Sequence, residues 1–186
     1  MTDLRKLMHG SAVLVPILIE VTSKPIVLTG LCIIMVVYSV EEVLRLKRHP
    51  MPVLTRFTLR MSRPSETEHF IVSPVYLGVG IILALLLFPT KIAYASIIIV
   101  ATGDPVAAYV GGRFGRRHIR QNKTLEGLLA GLVVSFLLAS ILVYPLAAFA
   151  GAAGAMLMEL LAFPDDNLTM PIAAGALIFL MTLATQ

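Results

Sequence analysis

The chain has 186 residues, of which 58% are hydrophobic and 14% are charged. Soluble domains carry about 25% charged residues and about 45–50% apolar ones, so this composition excludes an ordinary water-soluble protein. The formal net charge of +4 is expected to report membrane orientation and contact with membrane lipids. No nucleic-acid partner is predicted from it. The length predicts a single domain, residues 1–186.

Seven apolar segments follow one another along the chain, each close to the ~20 residues that a membrane-spanning helix needs. They cover residues 7–22, 25–44, 71–88, 92–110, 125–144, 146–163 and 168–185. Because unpaired backbone groups are costly in lipid, each segment is predicted to be a helix. The predicted fold is an all-α integral membrane protein, a bundle of about seven transmembrane helices.

Basic residues concentrate in two polar stretches, residues 45–70 and 111–124. With a cytoplasmic N-terminus and seven crossings, 13 of the 15 Lys and Arg residues lie inside, as the positive-inside rule requires. The sequence therefore predicts a multi-pass plasma-membrane protein with cytoplasmic basic loops. Within the first stretch, residues 53–61 alternate basic and apolar side chains and are predicted to form an amphipathic helix at the lipid headgroups.

The fourth apolar segment contains a carboxylate, Asp104, about 9 Å from its predicted cytoplasmic end. An acid at that depth is costly unless it is paired, bound to metal or in a wet cavity, so it is a candidate functional residue. Gly103 and Pro105 flank it. We expect them to open the helix, because glycine relaxes the backbone and proline removes a hydrogen-bond donor.

Glycines and basic residues follow Asp104. The residues predicted to bind a nucleoside triphosphate here are Gly103, Gly111, Gly112, Arg113, Gly115, Arg116, Lys123 and Thr124. The glycines would let backbone amides approach phosphate, and the cations and a helix N-terminus would neutralise its charge. No Gly-Lys-Ser/Thr is present, so this is not a Walker A motif. Taken alone, the arginines also suit a topology signal and the glycines suit helix packing.

Two further groups are predicted on the same side. Asp166 and Asn167 precede the last segment, where Asp166 would bind Mg²⁺ or accept a proton from an alcohol. Taken alone, this stretch also suits a hydrophilic turn with a helix N-cap. Arg5, Lys6 and His9 share one helix face, from which they would contact phosphate or the transferred proton. Taken alone, they also suit side chains that extend to the membrane interface.

Three more charged residues lie in or at the ends of apolar segments. Glu42 and Arg45 are an i, i+3 pair at the end of the second segment, which we expect to be mainly structural. Glu159 lies within the sixth segment and therefore needs a partner. The sequence alone does not name that partner.

Several short motifs, in this order, resemble the polyprenol kinase family, the CTP-dependent group of dolichol, phytol and certain diacylglycerol kinases. The matching stretches are Arg5-Lys6-Leu7-Met8-His9, Glu42-Val43-Leu44-Arg45, Gly103-Asp104-Pro105-Val106-Ala107, Gly112-Arg113-Phe114-Gly115, Lys123-Thr124-Leu125-Glu126-Gly127 and Asp166-Asn167-Leu168-Thr169-Met170-Pro171. The resemblance implies CTP as phosphoryl donor and a long-chain lipid alcohol as substrate. With Mg²⁺ as cofactor, Asp104 would hold the metal, and Glu126 would bind metal or orient Lys123. Asp166, with Asn167, would act as metal ligand or as base for the lipid hydroxyl.

Two alternatives are left open by the sequence. Phosphatidate cytidylyltransferases share the Gly-Arg-x-Phe-Gly and Lys-Thr-x-Glu-Gly stretches, but Asp166-Asn167 stands where their Gly-Gly-x-x-Asp-Arg-x-Asp tail is expected. A non-enzymatic transporter would use Asp104 and Glu159 as ion-pathway residues. The short chain suggests a minimal, prokaryotic version of the kinase, and an oligomer is compatible with it.

Overall fold

The computed structural model describes residues 3–62, 67–120, 123–161 and 165–185. The helices, in chain order, are α1 (Asp3–Ser11), α2 (Leu14–Val21), α3 (Lys24–Leu46), α4 (Pro52–Met61), α5 (Ser73–Leu87), α6 (Thr90–Phe114), α7 (Leu125–Ala139), α8 (Pro145–Leu161) and α9 (Asp166–Ala184). Two short antiparallel strands, β1 (His118–Arg120) and β2 (Lys123–Thr124), lie between α6 and α7. The helical fold is confirmed, and the hairpin is an addition that the sequence did not predict.

Three of the described helices, α3, α6 and α9, are long and apolar enough to cross a membrane. The remaining predicted segments are shorter: Ser73–Leu87, Leu125–Ala139 and Pro145–Leu161 are single helices, and the apolar stretch Met8–Val21 is divided between α1 and α2. A helix of 15 residues such as α5 is about 22 Å long, less than the ~30 Å hydrocarbon core of a bilayer. Three helices therefore qualify as spans by length, and a bundle of seven spans stays a prediction.

Two expectations about helix boundaries are wrong. The first apolar segment is not one helix, because α1 ends at Ser11 and α2 begins at Leu14. The helix around Asp104 does not open: α6 continues through Gly103 and Pro105 and ends only at Phe114. Close packing on several sides holds α6 helical across the proline, at the cost of one backbone hydrogen bond.

Helix α6 lies at the centre of the structure, in contact with α1, α5, α7, α8 and α9. Its middle is built from small and β-branched residues, and Ala93, Ala95, Ile97 and Ile99 are completely buried. Small side chains allow helix backbones to approach closely, which is how helices associate where lipid supplies no hydrophobic drive. The centre of the protein is thus formed by the helix that carries Asp104.

Glycines set the distance between α6 and α7. A Cβ added at Gly127 would lie 2.5 Å from the carbonyl oxygen of Ala107, and one at Gly131 would lie 2.7 Å from that of Gly103. Real Cβ atoms do not approach backbone oxygens this closely. The backbones of α6 and α7 can therefore be in contact only because residues 127 and 131 are glycines. We call this close contact between α6 and α7 the seam. It places β2, which directly precedes α7, against the end of α6.

Caps and a clamp hold the hairpin and the start of α9 in place. The hydroxyl of Thr124 caps α7 by accepting a hydrogen bond from the Gly127 amide, and Asp165 caps α9 by accepting one from the Asn167 amide. The Arg120 guanidinium donates to the carbonyls of Leu160 and Leu161 at 2.9 and 2.6 Å. The hairpin is thereby attached to the C-terminal end of α8.

The seam predicts a large difference between two glycine substitutions. Gly131→Ala places a methyl group against backbone and should cost about 1–3 kcal/mol of stability. Gly30→Ala, where nothing lies within 4 Å of the new methyl, should be neutral or stabilising, because alanine favours helix. Thermal unfolding of both variants in detergent measures the difference, and equal midpoints would contradict the packing role assigned to Gly131.

Candidate active site

The ammonium of Lys123 lies among three carboxylates that come from three different helices. Its Nζ is 2.7 Å from Oε1 of Glu159 on α8, 3.6 Å from Oδ2 of Asp166 on α9 and 4.0 Å from Oδ1 of Asp104 on α6. Lys123 itself precedes α7, so one cation joins four helical elements. We call Asp104, Lys123, Glu159 and Asp166 the lysine cluster.

Charge keeps Lys123 protonated. Burial lowers the pKa of the Lys123 ammonium, but Glu159 and Asp104, together with Asp166, more than offset this, so the pKa is raised above its usual value. The side chain is therefore a cation at physiological pH. It can pair with carboxylates or with an anionic ligand, but it cannot act as a neutral base there.

His9 brings α1 to the lysine cluster. Its ring is 2% exposed, and its Nδ1 lies 3.1 Å from Oδ2 of Asp104. Lys6, one turn earlier, lies elsewhere: its Nζ stands 5.5 Å above the ring of Tyr109, whose hydroxyl accepts from Arg113 at 3.4 Å. The predicted Arg5 side chain lies outside the described residues. Of the three N-terminal residues expected at the site, His9 is the one whose described contacts reach the lysine cluster.

Asn167 lies beside Asp166 in the first turn of α9 and is almost wholly buried, at 2% exposure. Within the described parts of the chain its amide nitrogen, Nδ2, has no hydrogen-bond partner. Buried polar groups nearly always have one, so an unpaired amide beside a charged cluster is suited to receive an oxygen of a ligand. The metal-binding or catalytic role predicted for Asp166 and Asn167 stays a prediction.

Glu159 is the member of the lysine cluster whose role sequence reasoning missed. The sequence indicated that an acid inside the sixth apolar segment needed a partner, and the structure supplies Lys123. In the sequence, Lys123 lies just before the fifth predicted segment and Glu159 lies four residues before the end of the sixth, so pairing of charges near segment ends was the available signal. Residues 111–124 also contain four arginines that could equally have paired with Glu159 in a sequence-based prediction. The hairpin places Lys123 next to Glu159.

Glu126 is turned toward backbone rather than toward Lys123. Its carboxylate accepts hydrogen bonds from the amides of Arg116 and Arg117 at 3.1 and 3.2 Å. Those are the first amides after Gly115, where a phosphate was expected to bind. Within the described residues, Lys123 forms ion pairs with Asp104, Glu159 and Asp166 but not with Glu126. A carboxylate of the protein itself therefore occupies this small anion-binding turn.

The predicted glycine nest for phosphate is wrong. Gly111 and Gly112 are inside α6, where their amides point along the helix, and no described glycine has a positive φ. An added Cβ would meet the Thr124 side chain at 2.7 Å from Gly111 and at 2.5 Å from Gly115. At Gly103 it would meet the tip of Met156 at 2.7 Å. These three glycines serve packing. The buried Thr124 is the neighbour of Gly111 and Gly115, and it also caps α7.

An open groove of about 490 Å³ lies at the end of α6. Its lining residues are Arg113, Phe114, Gly115, Arg116 and Glu126. Both arginine side chains are exposed, and Gly112 beside them has open space around it. Guanidinium groups in such a groove suit bidentate binding of phosphate. Arg113 and Arg116 line this groove, and their role in binding phosphate stays a prediction.

Two carboxylates of the lysine cluster suit a divalent cation whose other ligands are water or phosphate. Among the described residues, no group of three or more His, Cys, Asp and Glu side chains is arranged to hold a metal ion. Asp104 and Asp166 nevertheless point at one ammonium and are 22% and 23% exposed. Magnesium is usually held by one or two carboxylates, substrate phosphates and waters, so this pair suits a nucleotide-bound Mg²⁺.

A second ion pair holds a loop to the end of α3. The Arg45 guanidinium forms two 2.8 Å hydrogen bonds with the fully buried carboxylate of Glu42 and also donates to the carbonyls of Thr67 and His69. The Ile71 amide donates to Glu42 at 2.8 Å. The structural role expected for this pair is confirmed: it fixes residues 67–71 ahead of α5.

Comparison with known proteins leaves the function open. No family model matches the chain, and no solved structure matches it. An uncharacterized protein of Methanocaldococcus jannaschii is 28% identical over 140 residues, which cover 71% of this chain and 69% of the relative. That similarity assigns no activity, so the function has to be argued from the residues of the site.

Breaking the Glu42–Arg45 pair should destabilise the protein. Arg45→Met leaves a buried carboxylate without its counter-charge, which should cost about 3–5 kcal/mol. Arg60→Met, at an exposed position on α4, is the matched control and should change the thermal midpoint little. Adding Glu42→Gln to Arg45→Met should recover part of the loss. A midpoint for Arg45→Met equal to that of the control would rule the pair out as a brace.

Proposed function

We propose that this protein is a membrane-embedded kinase that transfers the γ-phosphoryl group of CTP to a long-chain lipid alcohol of the dolichol, phytol or geranylgeraniol type. The observation that carries the proposal is the convergence of His9, Asp104, Lys123 and Asp166 at one end of a set of apolar helices. These residues belong to motifs that resemble the polyprenol kinase family. The choice of CTP and of a polyprenol rests on that resemblance.

Charge of both signs at the site supports phosphoryl transfer. Lys123, Arg113 and Arg116 would neutralise the phosphates, while Asp104 and Asp166 would hold the Mg²⁺ that accompanies them. When bound, the metal supplies charge neutralisation on the phosphate oxygens. Transfer of a phosphoryl group depends mainly on positioning and charge stabilisation, and these residues provide both.

The reaction needs few groups from the protein. The oxygen of the lipid hydroxyl forms a bond to the γ-phosphorus, and the bond from that phosphorus to the β-phosphate oxygen breaks, which releases CDP. The hydroxyl proton passes to an oxygen of the transferred phosphoryl group, since Asp166 is assigned to the metal, and the buried Nδ2 of Asn167 would donate a hydrogen bond to a substrate oxygen. The lipid chain would remain among the exposed apolar side chains of the helices, such as Leu129, Val133 and Leu137 on α7.

The alternatives differ in what they require of the cluster. An ion pathway would place Asp104 and Glu159 at successive depths, whereas both contact the same ammonium at one end of the helices. A cytidylyltransferase would use the same groove and cluster, but there a phosphate oxygen of the lipid substrate would attack the α-phosphorus of CTP and pyrophosphate would leave. Product analysis separates that reaction from the proposed one.

Purified protein with Mg²⁺, γ-labelled CTP and a panel of geranylgeraniol, phytol, dolichol, diacylglycerol and phosphatidic acid should label a lipid alcohol. Asp104→Asn removes one carboxylate charge from the metal position and should lower kcat about 100-fold or more. Glu20→Gln, at the far end of the helices where Glu20 accepts from Tyr94, should retain full activity. Label released as pyrophosphate would replace the kinase by a cytidylyltransferase, and full activity in Asp104→Asn would remove Asp104 from the mechanism.

Orientation is testable with two single cysteines at opposite ends of α6. In a Cys32→Ser background, His118→Cys in the hairpin should be shielded from a membrane-impermeant maleimide in intact cells and react after the membrane is opened. Lys91→Cys, near the start of α6, should react in intact cells. The reverse pattern would place the N-terminus and the lysine cluster outside.

A further inference from the structure

Glu159 is the charged group of the lysine cluster to which the proposed reaction assigns no step. It lies near the C-terminal end of α8, a helix otherwise built mainly from Ala, Gly and apolar residues, and it is 1% exposed. A carboxylate buried to this extent is costly unless it is paired. Its Oε1 makes the shortest of the contacts to Lys123, while its Oε2 has no hydrogen-bond partner within the described part of the chain.

The three carboxylates around Lys123 differ in distance and in access. Glu159 is closest and buried, whereas Asp166 and Asp104 stand at 3.6 and 4.0 Å and are each more than one-fifth exposed. An entering cation reaches the two exposed carboxylates first. A lysine that pairs equally with all three would compete with that cation, and a lysine held by the buried one would not.

The hairpin gives Glu159 a fixed relation to Lys123. Arg120, on the neighbouring strand, donates to the carbonyls of Leu160 and Leu161, the residues that follow Glu159. The end of α8 therefore contacts both strands, through one guanidinium and one carboxylate. Moving Lys123 away from α8 would require breaking contacts of both strands.

We propose that Glu159 is a positioning residue that holds the Lys123 ammonium against α8 and so leaves Asp104 and Asp166 available to a divalent cation. The proposal rests on the proposed function for its catalytic consequence, since the cation is the one that would accompany the nucleotide. In physical terms, the three carboxylates have different binding partners. One acid is committed to the lysine, and two are shared with the ligand.

Glu159→Gln tests this division, because the amide keeps the shape and an acceptor but loses the charge. The ammonium is then drawn toward Asp104 and Asp166 and competes with the cation. Titration of purified protein with Mn²⁺ alone, followed by the electron paramagnetic resonance of free Mn²⁺, should show about tenfold weaker binding. Glu159→Asp keeps the charge and should restore most of the affinity, and Glu20→Gln should match the wild type.

A Lys123→Gln background separates positioning from a direct effect of Glu159. If Glu159 acts through the lysine, adding Glu159→Gln to Lys123→Gln should change Mn²⁺ binding little, so the two substitutions are strongly coupled. An equal, additive loss in both backgrounds would make Glu159 a metal ligand or a long-range field and overturn the proposal. Wild-type Mn²⁺ binding in Glu159→Gln itself would overturn it as well.

Activity provides the second readout. Glu159→Gln should need about tenfold more Mg²⁺ for half-maximal rate but should regain most of the rate at saturating Mg²⁺, whereas a structural defect would lower the maximal rate at every concentration. Absence of lipid phosphorylation by the wild type would end the proposed function. The Mn²⁺ coupling would still decide the role of Glu159, so the two failures are distinguishable.

Discussion

The ion pairs of one lysine organise the end of the protein where its charged residues meet. Lys123 supplies one positive charge to three carboxylates from α6, α8 and α9, and it is carried by a hairpin rather than by a helix. Without it, three acids within a few ångströms would repel one another in a poorly solvated place. The relative positions of these helices at this end therefore depend on where the hairpin delivers the ammonium.

Close packing of α6 against α7 fixes the position of the Lys123 ammonium. Gly127 and Gly131 allow α7 to touch the backbone of α6, and Gly111 and Gly115 leave room for the Thr124 side chain. Lys123 precedes Thr124 directly, so its position follows from this seam. Residues that looked like a phosphate-binding loop thus contribute to the site indirectly, by setting the distance between Lys123 and Asp104.

Negative charge and positive charge lie in two separate zones, and α6 contributes residues to both. The lysine cluster is partly enclosed and carries an excess of acid, whereas the groove at the end of α6 is open and lined by Arg113 and Arg116. In the proposed function, the carboxylates would suit the divalent cation of a nucleotide and the arginines would suit its phosphates. This complementarity is the physical basis of the proposed kinase activity.

The sequence alone determined where the apolar helices run, to within a few residues for α3 and α5 to α9, because hydropathy is a local property of each segment. It also singled out Asp104, Lys123, Asp166 and His9, because ionisable side chains in or next to apolar segments are costly unless they have a partner or a ligand. Only the tertiary structure decided that Glu159 pairs with Lys123, that Glu126 binds backbone amides and that the glycines pack helices. Those outcomes depend on the distances and rotations between helices far apart in the chain, which no local pattern encodes.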